Sequence, residues 1–390
     1  MLKRNMDLTE LVALSRFYGA NTEYVIAGGG NTSLKDGSRL FIKGSGTALA
    51  DITACGFVGM DREKLAKIWE KTYPEKAEDR EAAVLADMMA AKLPGEEHKR
   101  PSVETLLHDI LPFTWVVHTH PALVNGLTCS VRGAEEARSL FGEKALWIPE
   151  TNPGYILSQR IKDALGTRGS GTPAAIILLQ NHGVFVGADT PEGIKSLYRY
   201  LMDTLGAKIT EEPDFSGQTR EYGPSAAAAA ILAALAGNAG SAPAAVLFER
   251  NRELAALVED ASAFYPVSSA FTPDHIVYSG SSPLFIETGD KTEGDMAGII
   301  TGAWKNHLKK TGIPPKIAAL RGIGVFGIGP SEKAARLALE LFTDTVKVAV
   351  FSRAFGGPRF MAAEKIDFIN NWEVERYRSG ISGSIQEEKE

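Results

Sequence analysis

The chain has 390 residues, with 42 Lys and Arg against 48 Asp and Glu, for a formal net charge of −6. That balance argues against a nucleic-acid groove or an anionic membrane surface as the main partner, yet leaves room for a small anion held by a few local donors. Two cysteines, Cys55 and Cys129, are too few for a disulfide framework or a cysteine-rich metal site.

The first twenty residues mix charged and apolar positions without the continuous apolar stretch of a signal peptide, so a cytoplasmic location is expected. Residues 7–20 read as an amphipathic helix ending at Gly19. From Val25 to Ile42 short apolar runs alternate with Gly, Asn, Asp and Ser. Asp36-Gly37, set between Ser33-Leu34-Lys35 and Arg39-Leu40-Phe41-Ile42, predicts a hairpin turn. Helical spacing returns at 61–72, 78–92 and 102–110. Phe113-Thr114-Trp115-Val116-Val117 then reads as a strand, as does Ile176-Ile177-Leu178-Leu179. A helix from Pro191 to Leu205 follows, with Asp189 or Thr190 as its cap.

Glu211 to Gly217 is polar and turn-rich, and marks a boundary between a first domain, 1–210, and a second, 225–390. In the second, 225–235 and 244–260 read as helices and 275–279, 284–287 and 317–328 as strands. A long helix runs from Ser331 to about Ala354. The Ala-rich run 226–236 is well short of the roughly 20 residues that span a bilayer, and no internal repeat stands out. Gly322-Ile323-Gly324-Val325-Phe326-Gly327 matches Gly-x-Gly-x-x-Gly. A dinucleotide site needs its helix to open within that motif, whereas Val325-Phe326 reads as continuing strand, so close backbone packing is the preferred account.

The chemistry gathers in the first domain. His118-Thr119-His120 ends a predicted strand, and residues two apart share one face of a sheet. His182, in Gln-Asn-His-Gly, ends another. Three neutral imidazoles converging on one point make the ligand set of a divalent metal with an open position, as catalytic zinc requires. Glu104 opens the helix that leads into the first of these strands, and a carboxylate beside a Lewis-acidic metal can move a proton at a carbon next to a carbonyl. Gly28-Gly29-Gly30-Asn31-Thr32-Ser33 and Lys43-Gly44-Ser45-Gly46-Thr47 offer backbone amides, hydroxyls and a cation to an anion, with Ser102 at a helix start as a further donor.

Gly-Gly-Asn-Thr-Ser (29–33), Gly-Ser-Gly (44–46), Pro-Ser-x-Glu (101–104), His-Thr-His (118–120) and Asn-His-Gly (181–183) together resemble the class II aldolase/adducin family, in its order, over roughly residues 7–205. The resemblance implies an α/β fold, a three-layer α/β/α domain with a mixed, mostly antiparallel sheet, followed here by a smaller α/β domain. It implies a zinc-dependent aldolase that cleaves a deoxy-ketose 1-phosphate of the rhamnulose or fuculose type to dihydroxyacetone phosphate and an aldehyde. His118, His120 and His182 would hold zinc and Glu104 would be the acid/base. Asn31, Thr32, Lys43, Ser45, Gly46 and Ser102 would hold the phosphate of a small anionic sugar-phosphate substrate, in a homo-oligomer, a tetramer by family likeness.

Two positions depart from the family's habit. Val103 stands where a second serine is common, and Lys43 where sugar-phosphate aldolases commonly carry an uncharged residue. No counterpart of the tyrosine that protonates the leaving aldehyde in some aldolases can be picked out. Alternatives within the family are epimerisation, dehydration or decarboxylation of a sugar phosphate or sugar acid, and, from another class, a non-catalytic adducin-like assembly module. The second half resembles the middle segment of bifunctional rhamnulose-1-phosphate aldolase/dehydrogenase proteins.

Overall fold

The computed structural model of the chain describes residues 7–167, 173–222, 226–236, 245–288 and 293–372. They fall into two compact units, one made chiefly of residues 7–208 and the other chiefly of 209–370.

The first unit is built on a seven-stranded sheet. Its strands are β1 (Asn31–Lys35), β2 (Arg39–Lys43), β3 (Phe57–Asp61), β4 (Trp115–Thr119), β5 (Ala145–Ile148), β6 (Ile176–Leu179) and β7 (Gly183–Ala188). They lie in the order β3-β2-β1-β4-β7-β6-β5. Every neighbouring pair is antiparallel except β5 and β6, so the sheet is mixed and mostly antiparallel, as expected. The β1–β2 turn forms at the expected Asp36-Gly37, where the Asp36 carboxylate accepts from the Ser38 and Arg39 amides.

Among the described residues, eight helices accompany the sheet: α1 (Thr9–Gly19), α2 (Arg62–Ile68), α3 (Ala77–Ala90), α4 (Thr105–Ile110), α5 (Ala122–Thr128), α6 (Gly133–Phe141), α7 (Tyr155–Thr167) and α8 (Pro191–Gly206). Thr190 caps α8 by accepting from the Gly193 amide, with Pro191 in the first turn where its missing N–H costs nothing. Side chains alternate across β4 and so sort the two helical layers. Val117 and Thr119 face α8, whose buried Tyr198 hydroxyl bonds both the Thr119 hydroxyl and the Val117 carbonyl. Val116 turns to the other face and packs with Leu107, Leu157, Ile161 and Phe185 under α4 and α7. His118 shares that second face, two residues on from Val116.

The second unit carries a five-stranded sheet in the order β10-β11-β12-β9-β8. Its strands are β8 (Thr219–Tyr222), β9 (Ala245–Arg250), β10 (Leu284–Ile286), β11 (Ile317–Leu320) and β12 (Gly324–Gly329). Its helices are α9 (Ala226–Ala236), α10 (Arg252–Leu257), α11 (Ala261–Phe264), α12 (Glu293–Thr311), α13 (Glu332–Ser352) and α14 (Ala363–Asn371). Ile231, Ile300, Trp304, Leu320 and Phe326 centre its core.

Three readings of this half are corrected. The helix expected over 244–260 is a strand, β9, followed by α10. The run is rich in helix formers, but Ala245–Arg250 lies between β12 and β8, and Asn251 breaks it by capping α10 through the Leu254 amide. The strand expected at 275–279 is a wide helical turn over His275–Ser279, in which the His275 ring bonds Asp344 at 2.9 Å. The stretch 317–328 is a hairpin, β11–β12, turning at Gly322. The Gly-x-Gly-x-x-Gly motif therefore spans a turn and a strand, and the next helix opens only after Ser331.

One buried cation fastens α4 to the sheet. Lys35 of β1 donates to the carbonyls of His108, Asp109 and Leu111, groups left without intrahelical partners at the end of α4. Burial pushes its ammonium down to about 8, against the attraction of Asp109. A folded-state value below the ordinary 10.5 means that the unfolded chain holds the proton more tightly, so this group makes stability rise as pH climbs from about 8 to 10.5. Lys35→Met should destabilise the first unit by about 1–3 kcal/mol for each carbonyl left without a donor. Calorimetric unfolding at pH 7 and 9.5 should show the loss, and the variant should lack this lysine's share of the alkaline gain.

Candidate metal and acid–base centre

The β4–β7 ladder places His118 opposite Phe185, and its imidazole stacks on the Phe185 ring at 4.0 Å between centroids and 10° between planes. Its Nδ1 lies 2.9 Å from the Val184 carbonyl, which can only accept, so the ring proton sits on Nδ1. The Nε2 lone pair is thereby left pointing into the site, the orientation that a second partner imposes on metal-binding histidines. His120, just past the end of β4, brings its Nε2 to 2.9 Å from that of His118. His182 arrives from the β6–β7 turn. This turn needs a left-handed residue, supplied by Asn181 at φ 57°, a conformation that Asn tolerates. It also needs Gly183, since a Cβ there would meet the His120 ring and the Thr119 carbonyl at 2.6 Å.

The three ligand nitrogens lie within 4.8 Å of one another. A tetrahedral zinc with nitrogens at about 2.0–2.1 Å spaces them about 3.3 Å apart. The donor set fits a divalent metal in number and type, and His118 fits it in tautomer as well.

Glu104 stands immediately before α4 and is buried. Its Oε2 accepts from Asn31 Nδ2 at 2.6 Å. Its Oε1 is buried with no hydrogen-bond partner, 3.5 Å from His118 Nε2 and 3.8 Å from His182 Nε2. A buried carboxylate oxygen without a donor is costly, and it lies beside the point where the imidazoles meet. Asn31 can offer its amide N–H to Glu104 because its Oδ1 accepts from His108 Nε2, whose Nδ1 in turn accepts from the Ser33 hydroxyl at 2.7 Å. Burial, then the neighbouring His118 and Lys35, hold His108 well below the usual histidine range, so it stays neutral and the chain of donors runs in one direction.

His108 was missed in the sequence. The signal available was its position one helical turn after Glu104, since its amide bonds the Glu104 carbonyl.

Each glycine loop is tied to a segment that carries a site residue. Gly30 has φ 64°, and a Cβ there would lie 2.7 Å from the His118 carbonyl. Gly44 pairs with Pro101, and the Ser45 amide donates to the Arg100 carbonyl, which brings the 43–47 loop alongside Ser102. The Ser102 hydroxyl accepts from the Glu104 amide at 3.3 Å and lies 3.4 Å from Asn31 Nδ2. Asn31, Ser102 and the Ser45-Gly46 segment thus gather in one place. Two expected anion ligands point elsewhere. Thr32 alternates to the opposite face and bonds the Ser15 hydroxyl at 2.6 Å. Lys43 donates to the carbonyls of Gly28 at 3.0 Å and Gly30 at 2.8 Å, so its charge braces the first loop.

The Class II Aldolase and Adducin N-terminal domain family matches residues 9–206, and the chain belongs to that family. It is 24% identical over 411 residues to the uncharacterized oxidoreductase YuxG of Bacillus subtilis, covering 95% of this chain and 58% of that protein. Among solved structures it is similar to the N-terminal class II aldolase domain of a Thermoplasma acidophilum protein. That match has 25% identity and a TM-score of 0.44, and covers 53% of this chain and 95% of the other. It is also similar to L-fuculose-1-phosphate aldolase from Thermus thermophilus, with 16% identity and a TM-score of 0.35 over 51% and 94%.

Removing one imidazole should leave two ligands that cannot hold the ion. His118→Ala and His120→Ala should each retain the fold by circular dichroism and carry metal well below stoichiometry by elemental analysis. Full occupancy in both would remove the metal assignment.

Proposed function

We propose that the chain is a zinc-dependent aldolase that cleaves a deoxy-ketose 1-phosphate of the rhamnulose or fuculose type into dihydroxyacetone phosphate and an aldehyde. The observation that supports this reading best is the divided environment of Glu104. One oxygen is tied to Asn31, while the other is buried, unbonded and beside the Nε2 atoms of two imidazoles.

Zinc held by His118, His120 and His182 would act there as a Lewis acid toward substrate oxygens. Glu104 then serves as the base and acid that takes and returns a proton at the substrate carbon, through its Oε1. Asn31, steered by His108, keeps the carboxylate turned toward that carbon. Ser102, Ser45 and Gly46 bind the phosphate of the substrate, with Lys43 shaping the loop from behind. The burial of Glu104, His118 and Asn31 excludes water from the proton's path.

Glu104→Gln should keep zinc and lower turnover about 10²–10⁴-fold, the range for general acid–base groups. His108→Ala should also keep zinc and fall in turnover by about 10²-fold, the cost of misplacing a group by roughly 1 Å. Both are read by coupled assay of dihydroxyacetone phosphate and by metal analysis. A Glu104→Gln enzyme within a few-fold of the parent would sink its acid–base role. Screening sugar phosphates against sugar acids with product analysis tests the reaction itself. Release of two carbon fragments supports aldol cleavage, whereas an isomer, a dehydrated acid or carbon dioxide assigns the site to epimerisation, dehydration or decarboxylation.

A further inference from the structure

The five strands of the second unit repeat five of the seven in the first. The order β1-β4-β7-β6-β5 in the first has its counterpart in β8-β9-β12-β11-β10 in the second, with the same directions throughout and the single parallel pair at the same end. The registers correspond too. His118 opposite Phe185 becomes Phe248 opposite Phe326, Asn31 opposite His118 becomes Glu221 opposite Phe248, and Ile177 opposite Phe185 becomes Ala318 opposite Phe326. From β6 through α8 each residue meets its counterpart 141 positions later. Ile176, Leu179, Gly183, Val184, Phe185, Asp203 and Thr204 are matched by Ile317, Leu320, Gly324, Val325, Phe326, Asp344 and Thr345.

Backbone bonds outside the ladders repeat at corresponding places, their donors all at the same offset as these residues, and sheet order alone would not demand them. Gln180 to Ile148 is matched by Arg321 to Ile286, Asn181 to Thr128 by Gly322 to Val258, and Gly187 to Ala175 by Ile328 to Lys316. The left-handed Asn181 becomes left-handed Gly322, and the Thr190 cap becomes the Ser331 cap.

What differs is the chemistry. Through these registers His118, His120 and His182 correspond to Phe248, Arg250 and Ile323, so all three imidazoles are replaced. Arg250 Nη1 donates to the Gly322 carbonyl at 3.0 Å and to that of Ile323. The guanidinium thus spans from the end of β9 to the β11–β12 turn, the same two elements that His120 and His182 occupy in the first unit. We propose that the second unit is a degenerate copy of the aldolase fold, in which the Arg250 side chain makes the strand-to-turn crosslink that a metal makes in the first. Among the described residues the copy therefore offers no cluster of metal ligands in place of the histidine trio. The fold correspondence stands on the registers, while the comparison with a metal crosslink rests on the proposed role of the histidine trio.

Hydrogen–deuterium exchange on the intact protein tests this, read at the amides of residues 181–182 and 322–323. Chelation of the metal should speed exchange at 181–182 by about tenfold or more and leave 322–323 unchanged. Arg250→Met should do the reverse and keep full metal content. Unchanged exchange at 322–323 in Arg250→Met, or equal loosening of both turns by the chelator in the parent protein, would overturn the proposal. A chelator that moves neither turn refutes the metal reading of the first unit, and the Arg250 arm then decides the crosslink alone. The combined variant Phe248→His, Arg250→His, Ile323→His should gain a second bound zinc. A folded variant without it would refute the equivalence of the two positions, and if that variant or Arg250→Met fails to fold, the chelation of the parent protein still decides.

Discussion

The site depends on the register of three neighbouring strands. Asn31, His118 and Phe185 lie in one row across β1, β4 and β7, with side chains on the α4 and α7 face. Because side chains alternate along a strand, a slip of one residue in β1 would bring Thr32 to face Glu104 and send Asn31 to the α1 side. A slip in β4 would bury Thr119 where His118 now stacks. The register is itself held by burial on both faces, since Val116 and Val117 are completely enclosed on opposite sides of β4.

Within that frame the polar groups are committed in sequence. Ser33 donates to His108, His108 to Asn31, and Asn31 to Glu104, so each orientation is fixed by the group before it. In a low-dielectric interior such a chain is stable only when each member is satisfied, and the member left open is Glu104 Oε1, at the imidazoles. The Val184 carbonyl acts similarly on His118 by claiming its Nδ1 proton. The arrangement concentrates open donor and acceptor capacity at one point, which is what a site for a metal and a reacting substrate requires.

Fold and chemistry separate within this one chain. Two sheets that share the order of five strands and a left-handed residue in the corresponding turn carry three imidazoles in one case and a guanidinium with apolar neighbours in the other. The scaffold tolerates either, because the turn after β6 or β11 needs a residue able to adopt a left-handed conformation, Asn181 in one and Gly322 in the other. A shared architecture is therefore no guide to where the reaction occurs; the side chains in the row are.

Much of the first unit was legible from local pattern. The Asp-Gly turn, the strand before His118, the strand before His182 and the cap of α8 all follow from period, turn chemistry and capping, which act over a few residues. The pairing of His118 with His120 follows from strand alternation. Other features depend on distant residues. Neither the opposite facing of Thr32, nor the inward use of the Lys43 charge, nor the role of His108 can be read without knowing what lies across the sheet. Ala245–Arg250 has helix-forming composition and becomes a strand because two neighbours supply its hydrogen bonds. The repeat is hidden in the sequence because its offset changes from 130 residues at β4 and β9 to 141 at the following hairpin, and because the three histidines are replaced. Local propensities determined which segments were strands, turns and helix ends. Long-range pairing decided which side chains meet, since that depends on register and burial across segments far apart in the chain.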